Sequence, residues 1–212
     1  EAMLLRRQGL YPAAKKHFGL FRDPFADDVQ SHEDVFVSPD IRYVREAMFQ
    51  TAKHGGFMAV AGESGAGKST LRRDLIDRIS RESQPIIVIE PYVLGMEDND
   101  KAGKTLRVAH IEESIVRALD PSAQVKRSSE ARGHQVHELL KSAGCPCAIV
   151  IEEAHALPIP TLKHFKRLRE LKDGQRQLLG VLLIGQQELE DKLGTSKKEV
   201  REVMQRCEMV RL

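Results

Sequence analysis

The chain is poor in cysteine, with three residues, Cys145, Cys147 and Cys207. That odd number, without a paired CxxC spacing, argues against both a disulfide framework and a zinc site. Buried thiols in a reducing, cytoplasmic compartment are the expected reading, and Cys145 and Cys147, flanking Pro146, read as small buried residues. No apolar run approaches the roughly 18 residues of a membrane span, and the N-terminus lacks the apolar core of a signal peptide. A membrane partner is therefore not expected. Neither charge sign dominates: 33 Lys and Arg against 31 Asp and Glu give a formal net charge of +2. Any nucleic-acid contact must then come from a local basic patch. Internal repeats and low-complexity tracts are also missing. The 212 residues suffice for one large domain with a full core, plus extensions. Residue 1 is Glu, so the chain reads as a fragment or a trimmed product.

Residues 62–70 read GESGAGKST and fit the phosphate-loop pattern GxxxxGK[S/T] at each fixed position. The residue types match the chemistry. Glycines let the backbone N–H groups of Gly62, Glu63, Ser64, Gly65, Ala66, Gly67 and Thr70 turn toward phosphate oxygens. Lys68 supplies a point charge for the β- and γ-phosphates, and Ser69 offers a hydroxyl to Mg²⁺. The apolar run Gly56 to Ala61 precedes the loop, and a helical pattern with Leu71, Leu75, Ile76 and Ile79 on one face follows it. Strand, loop and helix thus stand in the order that an ATP site needs.

Apolar blocks at Phe57 to Ala61, Ile86 to Glu90, Ala148 to Ile151 and Leu178 to Ile184 alternate with helical patterns, and a fifth short strand is expected at Glu208 to Leu212. Near-continuous runs such as IIVIE and LLGVLLIG suit strands covered by helices on both faces. The prediction is an α/β fold with a five-stranded parallel sheet between helices. A helix is expected from Lys197 to about Arg206. Pro91 to Thr105 is longer than an ordinary connection and reads as functional or mobile.

The strand in CAIVIEEAHAL ends in Glu152 and Glu153. Strand-end carboxylates beside a phosphate loop suggest a Walker B element, in which the first acid holds Mg²⁺ and the second orients or deprotonates the attacking water. Glu at the first position reaches about 1 Å further than Asp would, which points toward slow turnover. Gly185-Gln186 closes the strand GVLLIG, placing an amide where it would hydrogen-bond a γ-phosphate or the lytic water. Arg206 lies just before the last short strand, where it would serve either as a trans arginine finger or as a helix-end cation.

Phosphate loop, hhhhEE strand, GQ strand end and an Arg before the final strand together resemble the AAA+ ATPase core over about Phe18 to Leu212. HFGLFRDPF, VSPDIRYVREAM, LKHFKRLREL and VLLIGQQEL are similar to the transposition-helper branch. That branch contains the phage Mu B-type target-selection protein and transposon and insertion-sequence helper ATPases, with ExeA-type secretion ATPases as relatives. The resemblance divides the chain into an N-terminal extension, 1–40, and an AAA+ core, 41–212, with the helical lid domain absent or truncated. It implies ATP-dependent assembly into helical filaments or rings on double-stranded DNA, activation of a transposase, and a bacterial host cell.

In such proteins the DNA contacts follow the second strand, which makes Lys101, Lys104, Thr105 and Arg107 the first candidates here. Lys126, Arg127 and Arg132 form a second basic group able to neutralise phosphates without reading sequence. The basic helix with Lys163, Lys166, Arg167 and Arg169 reads instead as an ordinary amphipathic surface helix. His155, in EEAH, invites comparison with the DEAH box of helicases. Those motors need two lobes of roughly twice this length, so His155 reads as a residue at a helix start. Three functional classes stay open: a DNA-binding regulator of transposition, an ExeA-type assembly ATPase, and a nucleotide-gated binding module with negligible hydrolysis.

Overall fold

The computed structural model describes residues 9–21, 23, 35–91, 106–194 and 207–212. The chain divides into two compact units, Glu1–Phe36 and Val37–Leu212. In the first, a short helix α1 (Pro12–His17) starts with proline at its first turn, and the Leu10 N–H donates to Asp23 Oδ2 at 2.8 Å. Phe18 and Phe21 in this unit are exposed.

The second unit opens with α2 (Pro39–His54). Ser38 caps it by accepting the Ile41 N–H, Pro39 pre-sets its first turn, and Gly55 ends it in the left-handed region at φ 76°. Then follow β1 (Phe57–Ala61), α3 (Lys68–Arg81), β2 (Ile87–Ile89), α4 (Val108–Leu119), α5 (Ser129–Ser142) and β3 (Cys147–Ile151). A 3₁₀ turn (Ala154–Ala156) leads into α6 (Ile159–Arg169), a hairpin of β4 (Lys172–Asp173) and β5 (Arg176–Gln177), then β6 (Leu179–Gly185), α7 (Gln187–Gly194) and β7 (Glu208–Arg211). The larger sheet is five-stranded, in the order β2-β3-β6-β1-β7, and each of its pairings is parallel. This is the expected α/β core, with β1 at the expected bounds and the ends of the other strands within one residue of the sequence reading. The hairpin was not foreseen, although Asp-Gly at 173–174 carries the turn signal and Gly174 sits at φ 61°.

Strands β1, β3 and β6 are buried at every residue. Because successive side chains point to opposite faces, each strand feeds two cores. Phe57, Ala59, Ile149, Ile151, Val181 and Leu183 pack with α4 to α7, and Met58, Val60, Val150, Leu182 and Ile184 pack with α2 and α3. Gly180 falls on the second face, where a Cβ would lie 2.4 Å from Thr51 O, so α2 rests directly on the β6 backbone. Asp74, buried on α3, is held in a two-pronged pair by Arg45 of α2 at 2.7 and 2.6 Å. The two helices flanking the phosphate loop are thereby fixed to each other.

Candidate nucleotide site

The phosphate loop leaves the sheet at Gly62, whose N–H, expected to turn toward phosphate, instead donates to Gly185 O at 3.2 Å and ties the loop to the end of β6. Gly65 and Gly67 stand at φ 84° and 87°, yet a Cβ at either would meet nothing within 4 Å. Backbone conformation, not space, is what calls for glycine there. Helix α3 begins at Lys68, and the Leu71 N–H is donated to Gly67 O at 3.0 Å. By helix geometry the amides of Lys68, Ser69 and Thr70 have no intrahelical acceptor, and they carry the positive end of the helix dipole. Lys68 bends over its own loop and donates to Gly62 O at 2.8 Å and Glu63 O at 2.6 Å. Backbone donors, an ammonium and the exposed Ser69 hydroxyl fit a polyphosphate with its cation. A polar cleft of about 290 Å³ opens beside Gly62, lined also by Glu190, Asp191 and Arg211.

Across the sheet, β3 delivers Glu152 and Glu153 at its carboxyl end. Glu152 is half-buried, and its Oε2 lies 3.2 Å from Arg72 Nε. The same guanidinium pairs with Glu90 at the end of β2. Arg72, on the second turn of α3, therefore fastens the ends of two strands beside the loop. Sequence reasoning gave it no weight, though helical periodicity sets it one turn beyond Lys68 on the same face. Among the described residues no group of three or more His, Cys, Asp and Glu is arranged to hold a metal ion. Mg²⁺ sites use few protein ligands and share the cation with substrate phosphates, so the expected pair Ser69 and Glu152 is of the right chemistry for one.

Glu153 occupies the left-handed region at φ 52°, ψ 33°, with its carboxylate 57% exposed. His155 stands at a helix start, as the sequence reading has it, in the short 3₁₀ turn, with its ring 11% exposed. Its Nδ1 accepts the Gln186 N–H at 3.4 Å and lies 3.6 Å from Glu153 Oε2. The Lys192 ammonium of α7 donates to the His155 carbonyl. Gly185 makes this possible, since a Cβ there would lie 3.1 Å from His155 N and 3.0 Å from Leu189 Cδ2. Glu153 and Gln186, separate in sequence, thus share one imidazole.

The basic candidates part company. Arg107 is exposed at the start of α4, and Lys126 and Arg127 are exposed ahead of α5. Arg132 has a different part from the one expected. Its side chain is 12% exposed, its Nε binds Glu112 Oε2 at 2.7 Å, and its Nη1 donates to the carbonyls of Lys126 and Arg127 at 3.2 and 3.3 Å. It shapes the loop that presents Lys126 and Arg127, and its own charge is spent on Glu112. Buried Glu112 also lies 3.3 Å from His164 Nε2 of α6. Burial holds the His164 pKa below its usual value, aided by Arg167 and Arg132 and opposed by Glu112. Lys101, Lys104, Thr105 and Arg206, together with the helix expected over 197–206, lie outside the described residues.

A glycine loop between a buried parallel strand and a helix, in one sheet with a strand one place removed that ends in paired acids, defines a P-loop nucleoside-triphosphatase core. Residues 50–193 match the family model described as AAA domain, and the chain belongs to that family. It is 26% identical over 185 residues to general secretion pathway protein A of Aeromonas hydrophila, an alignment covering 83% of this chain and 30% of that protein. The chain thus spans about a third of the length of that relative. Its fold is similar to the Aeropyrum pernix ORC2 protein, with a TM-score of 0.61, 14% identity and coverage of 84% of this chain and 50% of the other. It is also similar to the Aeropyrum pernix ORC1 protein in complex with DNA, with a TM-score of 0.57, 16% identity and coverage of 89% and 47%. Among the described residues, no helix is long and apolar enough to cross a membrane.

Proposed function

We propose that this chain is an ATP hydrolase that assembles on double-stranded DNA in its ATP state and regulates a transposase. The observation that carries the hydrolytic half is the convergence of Glu153 and Gln186 on His155, just past the carboxyl ends of β3 and β6, on one side of the strand that carries the phosphate loop. Lys68 and the amides of residues 63–70 bind the β- and γ-phosphates. Ser69 and Glu152 hold Mg²⁺, which when bound neutralises charge building on the transferred phosphoryl group. Arg72 orients Glu152 from behind. Glu153 orients the attacking water, and Gln186 senses the γ-phosphate. Arg206 completes the site from a neighbouring subunit of a filament or ring.

For the DNA half, the support is the exposed set Arg107, Lys126 and Arg127, with Lys101, Lys104 and Thr105 as further contacts on the preceding segment. Contacts of this kind are sequence-tolerant and salt-sensitive. Anisotropy of a labelled random-sequence duplex, at several salt concentrations with ATP, ADP or no nucleotide, tests the reading. Tight binding with ATP alone is expected, and neutralising Lys101, Lys104 and Arg107 together should flatten the salt slope by about 3. Glu153→Gln should stop turnover while leaving ATP binding in place; unchanged turnover removes Glu153 from the mechanism. A second reading is an assembly ATPase of secretion type, favoured by the similarity to general secretion pathway protein A over 83% of this chain. Absence of duplex binding in every nucleotide state would move the assignment there.

A further inference from the structure

Glu153 and Ser83 are the non-glycine residues at positive φ among the described residues. Left-handed backbone is strained for an L-residue and persists where the surroundings over-determine it. Here they do. The Ala156 N–H donates to Glu153 O at 2.9 Å, the Leu157 N–H to Ala154 O at 3.2 Å, and Lys192 clamps the His155 carbonyl. The backbone of the turn is fixed, whereas the Glu153 carboxylate stands 57% exposed and holds no hydrogen bond to His155 at 3.6 Å.

The Nδ1 of His155 faces two claimants. To accept the Gln186 N–H it must be unprotonated, with the ring hydrogen on Nε2. To donate to Glu153 it must carry the hydrogen, and the Gln186 N–H then loses its acceptor. One nitrogen serves one partner at a time, and the geometry in hand, 3.4 Å to Gln186 and 3.6 Å to Glu153, is the first arrangement.

We propose that His155 is a positioning residue that alternates between these two hydrogen bonds, aiming Glu153 only when the Gln186 end of β6 releases the imidazole. A γ-phosphate oxygen beside Gln186 is a charged acceptor and a stronger one for that N–H than a neutral imidazole. Once the N–H turns to phosphate, the ring gives its Nε2 proton to water and takes one at Nδ1, with no net change in charge. Nδ1–H then donates to Glu153 Oε2. The state of the third phosphate is thereby relayed to the carboxylate through one side chain.

The inference rests on the hydrolytic reading of Glu153, and the test separates the two. In the full 212-residue chain, long-range proton–nitrogen correlation of the imidazole should place the hydrogen on Nε2 without nucleotide and on Nδ1 with a non-hydrolysable ATP analogue. His155→Ala and His155→Gln should lower kcat by about 10²-fold, the scale of a 1 Å misplacement, with KM and fluorescent-nucleotide affinity unchanged. His155→Asn should recover most of the rate, because its amide reaches the Nδ1 position while that of Gln reaches Nε2. The same tautomer in both states, or equal rates for the Ala and Asn variants, would overturn the proposal. If Glu153→Gln leaves turnover intact, the hydrolytic reading itself fails; if Glu153→Gln abolishes turnover and His155→Ala does not lower it, only the relay fails.

Discussion

At the phosphate loop, Gly65 and Gly67 stand in open space and supply curvature, and the Lys68 ammonium lies back over the loop they form. On the other side of the same site, Gly185 is pressed between His155 N and Leu189 Cδ2, and it supplies room for a turn that aims side chains. One half is an exposed cradle of backbone donors with conformation set by local sequence. The other is a packed joint among β3, β6 and α7 with conformation set by contact. Binding should therefore fail by loss of charge in the first half, and chemistry by loss of geometry in the second.

The largest expected effect is Lys68→Ala. Charged hydrogen bonds are worth about 1.5–3 kcal/mol each, so losing two phosphate contacts should weaken ATP binding by about 10²-fold or more in a fluorescence titration. Thermal unfolding should move little, and a large drop in Tm would mean that the cradle is as structural as the joint. Next comes the pair Gly185→Ala and Gly65→Ala. The first overpacks a dense site and should cost about 1–3 kcal/mol of stability, together with kcat. The second meets no atoms, so the open loop relieves its left-handed strain by changing conformation, and the loss is expressed as weaker nucleotide binding at near-normal stability. Equal loss of stability in both would erase the distinction.

The smallest effect concerns His164, away from both halves. Its folded pKa lies below the ordinary 6.5 because of burial. Above 6.5 the ring is neutral folded and unfolded, and it adds no pH dependence. Below 6.5 the unfolded chain takes up a proton that the folded one refuses, so stability falls as the pH drops toward the folded pKa and levels off beneath it. Tm measured from pH 7.5 to 5 should fall more steeply for the wild type than for His164→Asn, and parallel curves would place the ring in a solvated setting.

The strands were legible because buried parallel strands must be apolar on both faces, and FMAVA, CAIVI and LGVLLIG leave little choice. The phosphate loop was legible because its chemistry fixes residue types at fixed spacing. Arg72 was not, because pairing with Glu90 and Glu152 requires knowing which strand ends meet α3. The contact of His155 with the Gln186 N–H was not legible for the same reason: the two residues are 31 positions apart, joined only once β3 and β6 are neighbours. Arg132 looked like a free surface cation until α4 brought Glu112 beneath it. Local sequence announces what a backbone will do, and long-range pairing decides what a charge will do.

Lys68 lies across its own loop with its hydrogens on the carbonyls of Gly62 and Glu63. A nucleoside carries nothing to draw the ammonium off two well-placed neutral acceptors, and a single phosphate offers little more than those carbonyls already do. A chain of phosphates brings several negative charges to one point and can displace both. On the proposed reading of the site, Lys68 would sort ligands by phosphate count before any base is read, so that AMP and adenosine should be poor competitors of ATP in a displacement titration even though the sugar and base are identical.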